Sequence, residues 1–222
     1  MIRFCLLAFS TALLAFSACS SPPVRGLQST ATPIDPKASY LFYLHGRIVE
    51  IQGPEAVSPE FGPYEYRDIL DELGRTGLTV VSELRGEKTD IDDYAERIVE
   101  QMRLLVEGGV PAERITVVGA SKGAIIAMVI STRAEMNQAR FVLMGGCSAP
   151  ALDSRSLDLH GAVLSIFEAS DGIAQSCSSL FARSPHLGDH REIRLDTGLG
   201  HGFLYRPLPE WTGPALEWAA SP

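Results

Sequence analysis

Positive charge is in short supply. The 222-residue chain carries 19 Lys+Arg against 27 Asp+Glu, a formal net charge of −8, and its basic residues form no stripe. A protein that grips a nucleic-acid backbone needs such a stripe, so that class of partner is excluded. Long apolar runs are also missing. Beyond the first 19 residues no stretch approaches the ~20 residues that span a bilayer, which excludes a helical membrane domain. No internal repeat recurs, so solenoids and propellers are excluded as well. Cysteine is sparse: 4 in the whole chain, of which only Cys147 and Cys177 lie beyond the N-terminal region.

What the N-terminus has is a leader. Arg3 supplies a positive start, and "FCLLAFSTALLAFSA" is an apolar run shorter than a bilayer span, followed by small residues. Residues 1–19 therefore read as a signal peptide. Its end, "AFSACSS", resembles a bacterial lipobox, with Ser17 and Ala18 before Cys19 and Phe16 where leucine is usual. Cys19 is then a candidate lipidation site, and Ser21 points to the outer rather than the inner membrane. Ordinary cleavage after "ACS" is the alternative. Loss of Arg3 leaves 18 Lys+Arg against 27 Asp+Glu in the exported chain. Export permits disulfides, so a Cys147–Cys177 bridge is one expectation and two buried thiols the other.

Residues 20–39, rich in Ser, Pro and Thr, read as a flexible tether, and residues 40–222 as one domain. In the domain short apolar runs alternate with amphipathic ones. "SYLFYLHG", "LTVVSELRG", "RITVVGAS", "RFVLMGGC" and "GAVLSIFEASD" are strand candidates, and the alternating "HREIRLDTG" is a weaker sixth that suits a sheet edge. Helical spacing places Tyr66, Ile69, Leu70 and Leu73 on one face, and Ile91, Tyr94, Ile98, Met102 and Leu105 on another. "SKGAIIAMVISTRAEM" and "LPEWTGPALEWAAS" complete the helices. Strands alternating with helices imply an α/β fold, a three-layer doubly wound parallel sheet.

Ser121 sits in Gly119-Ala120-Ser121-Lys122-Gly123, directly after a strand and at the start of a helix. That context suits a nucleophile elbow, a turn so sharp that its flanking positions must lack side chains. A glycine-rich turn with Ser121 as helix cap is the alternative. A serine hydroxyl needs a base. His201, in "DTGLGHGFLY", lies on a Gly-flanked loop after the last strand. His160 lies at the wrong end of its strand, and His45 closes the first strand. His186 and His190 are four apart, but Pro185 and Gly188 oppose the helix that a metal pair would need. The imidazole needs an acid, and Asp171 ends a strand at the correct rim; Asp196 and Glu168 are its competitors.

The order Ser121, Asp171, His201, carried by "VVGASKG", "EASD" and "GLGHGF" with "YLHGR" after the first strand, resembles the α/β-hydrolase superfamily over roughly residues 40–218. The resemblance implies a catalytic triad of those three residues and an oxyanion hole from the N–H groups of Arg47 and Lys122, with His45 holding its loop. The family's usual eight strands open with an antiparallel pair that residues 20–39 do not supply. Six parallel strands in spatial order 2-1-3-4-5-6 are therefore expected, with the site at the switch between strands 1 and 3. The implied activity is that of an exported, lid-less serine hydrolase acting on a small-molecule ester or thioester. A peptidase or acyltransferase would use the same triad, and a surface-anchored binding protein would keep the fold without turnover. No metal or organic cofactor is implied. Membrane contact is expected only through the N-terminal anchor, in the periplasm or on the outer membrane, and the oligomeric state is open. Arg47 or Arg85 facing the crevice would favour an anionic substrate; ion pairs with Glu50 and Glu83 are the other reading.

Overall fold

The computed structural model describes residues 33–221. The expected leader, Cys19 and most of the tether lie outside them. The strands of the main sheet are β1 (Tyr40–Leu44), β2 (Thr79–Val81), β3 (Ile115–Ala120), β4 (Arg140–Met144), β5 (Gly161–Glu168) and β6 (Leu187–Leu195). All pair in parallel, in the order β2-β1-β3-β4-β5-β6 expected from the sequence.

Every residue of β1, β3 and β4 is buried, because helices cover both faces. Alternate side chains serve the two layers. Tyr40, Phe42 and Leu44 face a core with α3 (Ile91–Glu107) and α4 (Lys122–Ala134), while Leu41 and Tyr43 face α2 (Tyr66–Gly74) and α7 (Pro209–Ala220). The predicted helical faces are the ones that pack: Ile69 and Leu73 of α2 and Ile98, Met102 and Leu105 of α3 are buried. Asp90 caps α3 by accepting from the N–H groups of Asp92 and Asp93. β6 is an edge strand, and most of its residues are exposed or half-buried.

Three features depart from the expected outline. Residues 33–39 are not free chain: Ile34 packs against the core beside Gly108, and the Asp35 N–H donates to Tyr40 Oη at 3.0 Å. The packed surface thus begins before Tyr40. "RIVEIQ" after the first strand is a helix, α1 (Arg47–Gln52), and a small antiparallel ladder of residues 57–58 with 62–63 follows it. Short helices α5 (Ala149–Asp153) and α6 (Ser178–Ala182) fill the connections flanking β5. These elements are too short to show a period in the sequence. Among the described residues no helix is long and apolar enough to cross a membrane.

Candidate active site

The register of β1 on β3 pairs Leu44 with Gly119, so the chain leaving β1 runs beside the turn between β3 and α4. Ser121 occupies that turn with φ 54° and ψ −117°, a left-handed backbone that costs a non-glycine residue on the order of 1–3 kcal/mol. The two flanking glycines are required by space. A Cβ on Gly119 would lie 2.3 Å from the carbonyl oxygen of Gly123, and one on Gly123 would lie 1.8 Å from that of Leu44. The Ser121 side chain makes no helix-capping bond. Its Oγ lies 2.9 Å from His201 Nε2 instead.

His201 is buried at the start of the loop before α7, on a two-turn 3₁₀ segment, Gly200–Tyr205. Its Nδ1 donates to Asp171 Oδ2 at 2.7 Å, which leaves Nε2 as the acceptor for the Ser121 hydroxyl. Burial alone would raise the Asp171 pKa, but the bonds from His201 and from the N–H groups of Ile173 and Ala174 hold it below the usual carboxylate range. Asp171 thus stays ionised beside the ring. Gly145, with φ 56°, passes so close beneath that a Cβ would sit 3.3 Å from His201 Cε1.

The competing acids do other things. Asp196 is exposed and is not a partner of His201. Glu168 is buried and accepts from Thr197 Oγ1 at 2.8 Å, from Ser170 Oγ at 3.0 Å and from the N–H groups of Ser170, Thr197 and Gly198. Burial would raise its pKa, yet these bonds outweigh it and hold the group down to about 2. It fastens the loop that carries His201 to the loop that carries Asp171.

His45 is fully buried, and its ring bonds to Gly46 and Arg85 rather than to Ser121 or His201. The Arg85 N–H donates to its Nε2 at 3.1 Å, so Nδ1 carries the proton and donates to the Gly46 carbonyl at 3.0 Å. Burial and the adjacent Arg85 charge push its pKa down to about 3, so the ring stays neutral. Arg47 and Lys122 begin α1 and α4, where backbone N–H groups have no intrahelical acceptor. The crevice reading fails for Arg85, whose side chain is fully buried with Nε 2.8 Å from Glu50 Oε1. Glu83 pairs with Arg97. Arg47 alone of these is exposed, at the mouth of the cleft.

The cleft holds about 180 Å³, below the roughly 300–1,000 Å³ of pockets for drug-sized ligands. Ile48, Phe61, Ile173 and Tyr205 wall it around Ser121 and His201. Phe61, in the turn that joins the two strands of the small ladder, has its ring 6.4 Å from the His201 ring and was not legible as a site residue, since nothing in its sequence neighbourhood marks it. Cys147 and Cys177 are joined by a disulfide beside the Asp171 loop. Ligand atoms of Asp158, His160 and His186 lie within 4.8 Å of one another, near the N-terminal ends of β5 and β6, so His186 sits with these residues rather than with His190. There the His186 ring bonds Asp158 at 2.6 Å and stacks on His160.

No protein-family model matches the sequence, and no curated protein matches it. Solved structures do. XC6422 from Xanthomonas campestris, described as an α/β serine hydrolase without lid, is 15% identical, with 85% of this chain and 88% of that one aligned at a TM-score of 0.54. Est1E from Butyrivibrio proteoclasticus is 13% identical over 82% and 87% of the two chains, at 0.54. A hyperthermophilic esterase from the archaeon Pyrobaculum calidifontis is 20% identical over 84% and 77%, at 0.52. The chain has the α/β-hydrolase fold. Within that fold Ser121, Asp171 and His201 stand at the C-terminal rim of the sheet, after β3, β5 and β6.

Proposed function

We propose that the protein is a serine hydrolase that cleaves a small ester or thioester through an acyl-enzyme intermediate. The observation that carries this reading is the unbroken chain from Ser121 Oγ through the His201 ring to the ionised Asp171. His201 Nε2 takes the hydroxyl proton as Oγ attacks the substrate carbonyl carbon, and Asp171 stabilises the imidazolium that results. The N–H groups of Arg47 and Lys122 receive the oxyanion. His201 returns its proton to the leaving oxygen or sulfur, and the carbon–heteroatom bond breaks. Water then repeats the sequence on the acyl-enzyme and frees Ser121.

The small cleft with its apolar wall suits a short acyl group, and the α/β-hydrolase fold of the lid-less and esterase structures above supports the same class. The disulfide favours an oxidising compartment, which supports export. Short p-nitrophenyl esters should give a burst of nitrophenol stoichiometric with protein, absent in Ser121→Ala. A binding protein that has kept the fold without turnover would give no burst with any acyl length.

A further inference from the structure

The structure gathers the side chains of Glu50, Arg85 and Lys122, none of which the proposed reaction uses, behind the loop that closes β1. The Glu50 side chain is fully buried and both its oxygens are used: Oε1 accepts from Arg85 Nε at 2.8 Å and Oε2 from Lys122 Nζ at 2.6 Å. Lys122 Nζ also donates to the Thr89 carbonyl at 2.9 Å. Arg85 donates through Nη2 to the His45 carbonyl and through its backbone N–H to the His45 ring, and its guanidinium lies 5.2 Å over the Tyr94 ring. Two cations and one carboxylate, all but Lys122 wholly desolvated, form a costly arrangement for stability alone. Buried ion groups of this kind are often no better than apolar packing, so their geometry is the more informative property.

That geometry has one consequence. Glu50 belongs to α1, the helix whose first N–H is that of Arg47, and Lys122 supplies the first N–H of α4 next to Ser121. One carboxylate therefore ties together the two segments that carry the oxyanion donors, and Arg85 fixes the intervening His45-Gly46 turn from below. We infer that Glu50, Arg85 and Lys122 are positioning residues, an ion clamp that sets the separation of the Arg47 and Lys122 N–H groups across the reacting carbonyl. The inference rests on the serine-hydrolase reading and deepens it. A clamp of this kind acts in the transition state, where the charge develops, and hardly at all on ground-state binding. A donor displaced by about 1 Å is enough to cost on the order of 10²-fold in rate.

The test uses phosphonylation of Ser121 by an alkyl fluorophosphonate, which places an oxyanion between the same donors and needs no knowledge of the natural substrate. Glu50→Gln and Lys122→Met should lower the limiting labelling rate about 10–100-fold while the half-saturating probe concentration moves less than about threefold. Lys122→Arg should restore most of the rate. Lys122→Met leaves the Arg85–Glu50 pair in place, so it keeps the test alive if Glu50→Gln fails to fold, and thermal melting of each variant establishes its native fraction. Wild-type labelling rates in both folded variants would overturn the clamp and leave the hydrolase reading intact. So would a loss confined to probe affinity, or one that tracks the unfolded fraction. A wild-type protein that does not label at all would overturn both.

Discussion

Replacing Cys147 and Cys177 together by alanine removes a cross-link between positions 30 residues apart. Closing a loop of that length lowers the entropy of the unfolded chain by an amount worth about 3.6 kcal/mol at 25 °C. Both cysteines are 2% exposed, so alanine also forfeits some sulfur packing, and serine would add two buried hydroxyls. For a domain of this size each kcal/mol moves the midpoint by roughly 2–4 °C, which gives an expected fall in Tm of roughly 7–14 °C. The loss has a local reading too. The Gln175 N–H donates to the Cys147 carbonyl at 2.8 Å, and Asp171 Oδ1 accepts from the N–H groups of Ile173 and Ala174, so the bridge pins the loop that shapes the acid. Ester turnover at 25 °C should therefore fall severalfold while the variant is still folded. Circular dichroism melting of wild type with and without reductant, and of the double variant, measures the first effect; a Tm difference under about 2 °C would refute the reasoning.

Other perturbations reach other parts of the account. Asp171→Asn should leave the melting curve close to wild type while slowing acylation on the order of 10³–10⁴-fold, read from the burst rate, because the imidazole loses its tautomer lock. Gly123→Ala, whose Cβ would lie 1.8 Å from the Leu44 carbonyl oxygen, should destabilise by about 1–3 kcal/mol or more in urea titrations; Gly213→Ala, with open space in α7, should be neutral or stabilising. Glu168 has its pKa lowered to about 2 in the folded state. Its contribution is complete above its unfolded pKa near 4.5 and is lost as pH falls towards 2, so Glu168→Gln should flatten the stability profile in that window. Arg47→Gln should reduce kcat/KM about fivefold for an acidic ester relative to its neutral pair, and indifference to substrate charge would remove Arg47 as a selector.

The sheet was legible where burial on both faces forces unbroken apolar runs, as in "YLFYL" and "RFVLM". The rim that carries the site followed from strand order, because parallel strands put all their C-terminal ends on one side. The elbow was legible because a Ser between two glycines follows a strand directly; the Gly119 demand is local to those five residues, while the Gly123 demand comes from the Leu44 carbonyl on β1. What stayed hidden was long-range. Glu50 reaches Arg85 across 35 residues and Lys122 across 72, and no local pattern announces such pairings. For that reason Arg85, read from the sequence either as a crevice residue or as a salt-bridge partner, resolves to the second in the structure. Ile34 likewise carries no signal that distinguishes a docked segment from a tether, and Phe61 reaches the cleft only because the turn of the ladder at 57–63 is brought in the fold to the His201 ring.

The claim beneath all of this is that Ser121 is activated by the imidazole of His201. Mass spectrometry of tryptic peptides after brief exposure to a fluorophosphonate tests it most directly. The account predicts a single phosphonyl adduct on Ser121, formed in wild type and abolished or slowed by orders of magnitude in His201→Ala. An adduct elsewhere, or equal labelling of Ser121 with and without His201, would contradict it.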